Sequence, residues 1–193
     1  VNTGGYLMPR PGARVTSATL NGGGIDLSLG TGNFVVDNVT VGSCGGWAGV
    51  EDCDTAIGHN LTINNLTGPL EYHLNTDLAN NQADTVTINN AVGAMASKLQ
   101  VNYDPVYPTG KSATGAKVVA TVLRGNAGFA LMNRQYDEYV YAPTISPSKP
   151  GATVWTLTKL APVPGESEES SRGGITRPCS EGSMLRRRSN DSK

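Results

Sequence analysis

Only two histidines, His59 and His73, and three cysteines occur among the 193 residues, and just 16% of the chain is charged. Glu and Lys, the usual covering of surface helices, are scarce, which counts against a helical bundle. No apolar run approaches the length of a membrane-spanning helix. A net charge of −1 gives no pull toward nucleic acid or an anionic membrane. The chain has no initiator Met and no charged start followed by an apolar run. It therefore reads as an internal fragment whose export signal, if it has one, lies upstream.

Catalytic signatures are missing as well. Neither histidine stands in a His-Glu-x-x-His helix, and there is no Gly-x-Ser-x-Gly nucleophile turn. The stretches "NGGGI" at 21–25 and "GTGNF" at 30–34 lack the Lys-Ser/Thr and helix of a phosphate loop, so they read as turns. Asp52 and Asp54 are close but lie in a Gly-rich loop. Asp77 and Asp84 flank a turn, where a strand-end carboxylate ordinarily accepts backbone N–H bonds. The grouped carboxylates of a polysaccharide lyase or hydrolase are not evident. The expectation is no catalytic, metal or cofactor-binding residue, and hence no enzyme.

What is present is β structure. There are 24 glycines, with many Thr and Asn. In "GPLEYHLNTDLANNQADTVTI" (68–88), Leu70, Tyr72 and Leu74 alternate with Glu71, His73 and Asn75, and the alternation resumes at Val86 and Ile88. This predicts strand, turn, strand, with the first set inward and the second outward. Further strands are predicted at 25–29, 99–103, 117–123, 129–132, 139–141 and 154–157. The most helix-like stretch, "AVGAMASKL", is weakened by Gly93.

A repeat orders these pieces. "TINNL" at 62–66 and "TINNA" at 87–91 align with "VVDNV" at 35–39, placing Val36, Ile63 and Ile88 in equivalent positions. Short strands recurring every 20–30 residues, with no helices, mark a stacked solenoid. The paired amides would stack from coil to coil, as an alternative to serving as plain turns. The expected fold is all-β, a parallel β-helix with coils over 1–100 and a capping module over 101–160, where the aromatics concentrate. Residues 161–193 hold 11 of the chain's charged residues, including "RRR" at 186–188. They read as a disordered tail, linker or frame artefact.

Cys44 and Cys53 bracket "GGWAGVED". A disulfide there, worth about 2–3 kcal/mol, and two free thiols both stay open, while the spacing is wrong for zinc. Either way the segment reads as a surface insertion between coils. Its Trp47 is either a binding aromatic or a loop residue folded back onto the solenoid. Asn38, Asn60 and Asn65 stand in Asn-x-Thr sequons.

From Leu61 to Leu160 the chain resembles the C-terminal end of pertactin-like autotransporter passenger domains, which are exported by type V systems. The pieces, in order, are "LTINNLTGPLEYHLNTDLANNQADTVTI", "SKLQVNYD", "AKVVATV", "FALMNRQYDEYVY" and "WTL". Leu61, Leu66 and Gly68 match the family's opening, and Asp77 and Asp84 its strand-end acids. Tyr139 and Tyr141 match a Gly-x-Tyr-x-Tyr element in which Asp137 replaces the glycine. Trp155 and Leu157 match the closing Trp-x-Leu.

The resemblance implies a right-handed parallel β-helix whose C-terminal end is an autochaperone or junction segment. Leu66, Gly68, Tyr139, Tyr141, Trp155 and Leu157 would then belong to a folding nucleus and cap. It implies display at the bacterial surface or release outside the cell, as an adhesin or other virulence factor. The partners would be upstream passenger coils, a downstream outer-membrane β-barrel and host surface molecules, with no nucleic acid. A secreted carbohydrate-binding or carbohydrate-active β-helix is the alternative.

Overall fold

The computed structural model describes residues 1–50, 56–77, 81–103, 116–131, 139–149 and 152–162. All regular structure among them is β-strand. One face is built from β2 (Arg14–Leu20), β4 (Gly32–Val41), β6 (His59–Thr67), the start of β9 (Thr85–Tyr103) and β10 (Ala116–Val122), each parallel to the next. A second, mostly shorter-stranded face stacks β1 (Tyr6–Leu7), β3 (Gly24–Asp26), β5 (Trp47–Gly49), β7 (Glu71–Asp77), the end of β9 and β11 (Gly125–Leu131), also in parallel. The chain alternates between faces once per rung, which is a parallel β-helix. The small β8 (Gln82–Ala83) folds back antiparallel on β7.

The core consists of columns of like residues. Val36 pairs with Ile63, and Ile63 with Ile88, the positions the repeat had aligned, and Ile88 pairs onward with Val122. Beside this column run Phe34, Leu61, Val86 and Ala120, all buried. On the shorter face, Leu7, Ile25, Ala48, Tyr72 and Leu99 stack in the same way. Each fully buried Ile, Val or Leu contributes roughly 1.5–3 kcal/mol, and β-branched side chains suit the pleated wall. Burial raises the Tyr72 phenol above its ordinary range, with the Ser97 hydroxyl opposing in part.

The parallel stacking runs past residue 100 through β10 and β11. The direction then changes. β12 (Tyr139–Lys149) and β13 (Ala152–Pro162) form an antiparallel hairpin, and β13 lies antiparallel on β10. Residues 163–193, the bulk of the expected tail, lie outside the described residues, while Ala161 and Pro162 end β13.

Several expectations are corrected. The segment after Cys44 is not a surface insertion at its centre, because Trp47–Gly49 forms β5 and Ala48 and Val50 are fully buried. Asn75 points inward, not outward. The register with β9 slips between Leu74 and Asn75, turning its side chain to donate to the Ala56 carbonyl at 2.8 Å. The strand expected at 25–29 stops at Asp26, whose carboxylate accepts the Ser28 N–H at 2.9 Å and also the Ser28 hydroxyl. That turn leaves Leu29 exposed. "AVGAMASKL" is extended throughout, within β9. The strand β2 is not among those predicted above, although Val15, Ala18 and Leu20 face the core side.

Candidate functional site

The outward side chains of the two faces differ in kind. On the long face they repeat. Asn90 donates to Asn65 at 3.2 Å, Asn65 to Asn38 at 3.2 Å, and Asn38 to the Thr16 carbonyl at 3.0 Å. A parallel ladder runs from Asn89 to Asn64 and from Asn64 to Asp37, each at 2.6 Å, and ends in a two-pronged Arg14–Asp37 ion pair at 2.7 and 2.9 Å. A third joins Thr85, Asn60 and Asn33. An amide carries both donors and an acceptor, so a column of amides can bond along the stack without limit. The Arg14 guanidinium holds the Asp37 carboxyl below its usual range, and the Asn64 bond adds to that effect.

At one corner these columns turn into a buried hub. One oxygen of Asp84, which is 1% exposed, accepts the N–H groups of Gly58 and His59, both at 2.8 Å, and lies 3.1 Å from His59 Nδ1. The other oxygen accepts the Asn75 N–H at 2.9 Å. One carboxylate thereby ties the entry of β6, the end of β7 and the start of β9. No local motif announces the His59–Asp84 pair. The 25-residue step that joins Asn65 to Asn90 also carries His59 to Asp84, and that period was the available signal.

The short face carries a column that does not repeat: Tyr6, Gly24, Trp47, Glu71 and Lys98 in successive rungs. The Trp47 indole lies back over Gly24, where any Cβ would stand 2.2 Å from the ring. His73 stacks on it with centroids 5.0 Å apart and planes 9° from parallel, while Tyr6 meets it edge-on at 5.7 Å. His73 Nε2 is 2.7 Å from Glu71 Oε1. His73 is thus half-buried in a stack and not simply solvated. Trp47 is folded onto the solenoid, yet it borders an open pocket with Cys44, Pro69, Glu71 and Lys98. Among the described residues, no group of three or more His, Cys, Asp or Glu is placed to hold a metal ion.

The residues singled out in the sequence are dispersed and not gathered in one place. Leu66 is fully buried between Val39 and Ala91, and Gly68 ends β6 at φ +90°. The Asp77 backbone pairs with Gln82. Tyr139 and Tyr141 lie in β12 opposite Pro162 and Lys159, and Trp155 and Leu157 lie in β13 opposite Ala120 and Lys117. The side chains of those four, and that of Asp77, lie outside the described residues. Cys44 is an exposed free thiol, and Cys53 lies outside the described residues, as do Asp52 and Asp54.

Stacked parallel rungs with interior aliphatic columns and exterior amide ladders define the chain as a β-helical solenoid. Its sequence matches the Pertactin family model over residues 50–159, more than half its length, and the chain belongs to that family. It is accordingly part of an autotransporter passenger of the secreted or surface class. No curated protein matches it.

Proposed function

We propose that this chain is the C-terminal stalk and folding nucleus of a surface-displayed autotransporter passenger, an adhesin or other virulence factor, with no catalytic step of its own. The observation that supports this reading is the difference between the two ends of the stack. At the C-terminal end the hairpin β12–β13 lies antiparallel on β10, and β12 is the outermost strand of the bonding order. It carries Pro143 and Pro147, which lack the N–H that a further strand would need. At the other end β2, "RVTSATL", has no proline, and among the described strands it pairs only with β4. Such an edge is a template for one more parallel rung.

A stack with one blocked and one receptive end grows in a single direction. Nucleation is the costly step of a solenoid, after which each rung adds by nearest-neighbour contact. A chain crossing the outer membrane C-terminal end first would form the hairpin rungs early and lay upstream coils on the β2 edge.

The test is refolding from denaturant, comparing the full chain with one ending at Leu131, which lacks β12 and β13, and one beginning at Gly32, which lacks β1 to β3. The expected result is refolding slowed roughly tenfold or more by the C-terminal deletion and nearly unchanged by the N-terminal one. The reverse order would sink the nucleus assignment.

A further inference from the structure

The long-face columns satisfy one another, but the short-face column ends in groups with spare bonding capacity beside a cavity. The pocket has a volume of about 410 Å³ and is lined by Cys44, Gly46, Trp47, Pro69, Glu71 and Lys98, among others. That volume falls within the range of about 300–1,000 Å³ typical of small-ligand sites. The Trp47 indole lies over Gly24, carries His73 stacked on it, and is one of the residues lining the pocket. With Pro69 it supplies the apolar part of the lining. Glu71 and Lys98 are opposite one another in the register of β7 and β9. Glu71 is held by His73 through one oxygen, and a carboxylate has acceptor capacity beyond one bond. Lys98 is exposed and brings three donors.

We propose that this pocket binds an N-acetylated hexosamine unit of a neutral glycan. The acetamido group matches the lining in kind. Its methyl suits the apolar lining of Trp47 and Pro69, its N–H the Glu71 carboxylate and its carbonyl the Lys98 ammonium. The Glu71 and Lys98 charges cancel, which disfavours sialylated or sulfated sugars relative to neutral ones. The site stands independently of the folding role proposed above, since it needs only the rungs β3 to β9.

The experiment is a titration of the ¹⁵N-labelled full chain with chitotriose, following the two tryptophan indole N–H signals, with maltotriose as the sugar lacking acetamido groups. Trp47→Phe assigns the signals and leaves Trp155 as internal control. The expected result is a saturable shift of the Trp47 signal, with Kd on the order of 1 mM for so open a site, and Trp155 unmoved. Maltotriose should bind at least roughly tenfold more weakly. Lys98→Ala and Glu71→Gln, both at the rim, should each weaken chitotriose binding about tenfold with the circular dichroism spectrum and thermal midpoint retained. Any one of three outcomes overturns the proposal: no Trp47 shift at roughly 20 mM sugar, an equal response to maltotriose, or wild-type affinity in both rim variants.

Discussion

The long and short faces of this solenoid are built from the same rungs yet spend their outward positions differently. On the long face each column repeats one chemistry: Asn38, Asn65 and Asn90, or Asp37, Asn64 and Asn89. On the short face Tyr6, Gly24, Trp47, Glu71 and Lys98 are five different residues in one column. A repeated column satisfies itself and stabilises the stack. A varied column cannot, and its polar groups remain available to something outside the protein. Mutations should therefore sort by face. Long-face and corner changes should act on stability, and short-face rim changes on binding.

The largest effect is expected at the corner that joins the faces. Asp84→Ala removes the acceptor of three backbone N–H groups and the partner of His59, all in a buried setting. A loss of about 3–5 kcal/mol in unfolding free energy is expected by denaturant titration. A loss under about 1 kcal/mol would mean that water replaces the carboxylate and that the corner is not a structural hub.

Next come two glycines with nearly the same backbone but different surroundings. Gly68 and Gly93 have φ of +90° and +89°, but a Cβ on Gly68 would stand 3.0 Å from the Val41 carbonyl oxygen, while one on Gly93 meets nothing within 4 Å. Gly93→Ala should carry only the left-handed backbone term, about 1 kcal/mol, and Gly68→Ala about 2 kcal/mol or more. Equal losses would show that the approach of β6 to the preceding rung yields easily.

The ladders and the rim give the most direct contrast. Asn64→Ala breaks two part-buried bonds, to Asp37 and from Asn89, and should lower stability by about 1–2 kcal/mol. Lys98→Ala on the short face should stay within about 0.5 kcal/mol. If the two variants are equally destabilised, the division of labour between faces fails.

This division also explains what could be read in advance. The solenoid, the alignment of Val36 with Ile63 and Ile88, and the amide ladders follow from a local repeat, because residues at one period meet by construction. The Trp47–His73 stack does not. It joins Trp47, which pairs in register with Glu71, to His73, which pairs with Gly49, so the contact runs diagonally between columns although the two residues lie close to one repeat apart, and the loop-like glycines around Trp47 hide the strand β5. Strict alternation predicts an outward Asn75, and a slip of register in the strand defeats that rule. Leu29 continued an alternating pattern that Asp26 had already ended by capping Ser28. Local polar bonding overrode periodicity in the last of these cases, and pairing irregularity in the other.

The smallest effect expected is electrostatic and lies at the exposed head of a ladder. Arg14 and Asp37 face solvent, so their ion pair is screened, but the bond from Arg14 followed by that from Asn64 still holds the Asp37 carboxyl below its usual range. A carboxyl depressed in the folded state adds stability that is present above the unfolded-state value near about 4 and is lost as pH falls through the lower folded value. Asp37→Asn removes that contribution and keeps an amide able to continue the ladder. Thermal midpoints measured between neutral pH and about pH 3 should therefore fall slightly less steeply for Asp37→Asn than for the parent chain. The difference should shrink at high salt. A steeper acid decline in the variant would mean that Asp37 is not held ionised by its neighbours, and the ladder would then rest on amide bonding alone.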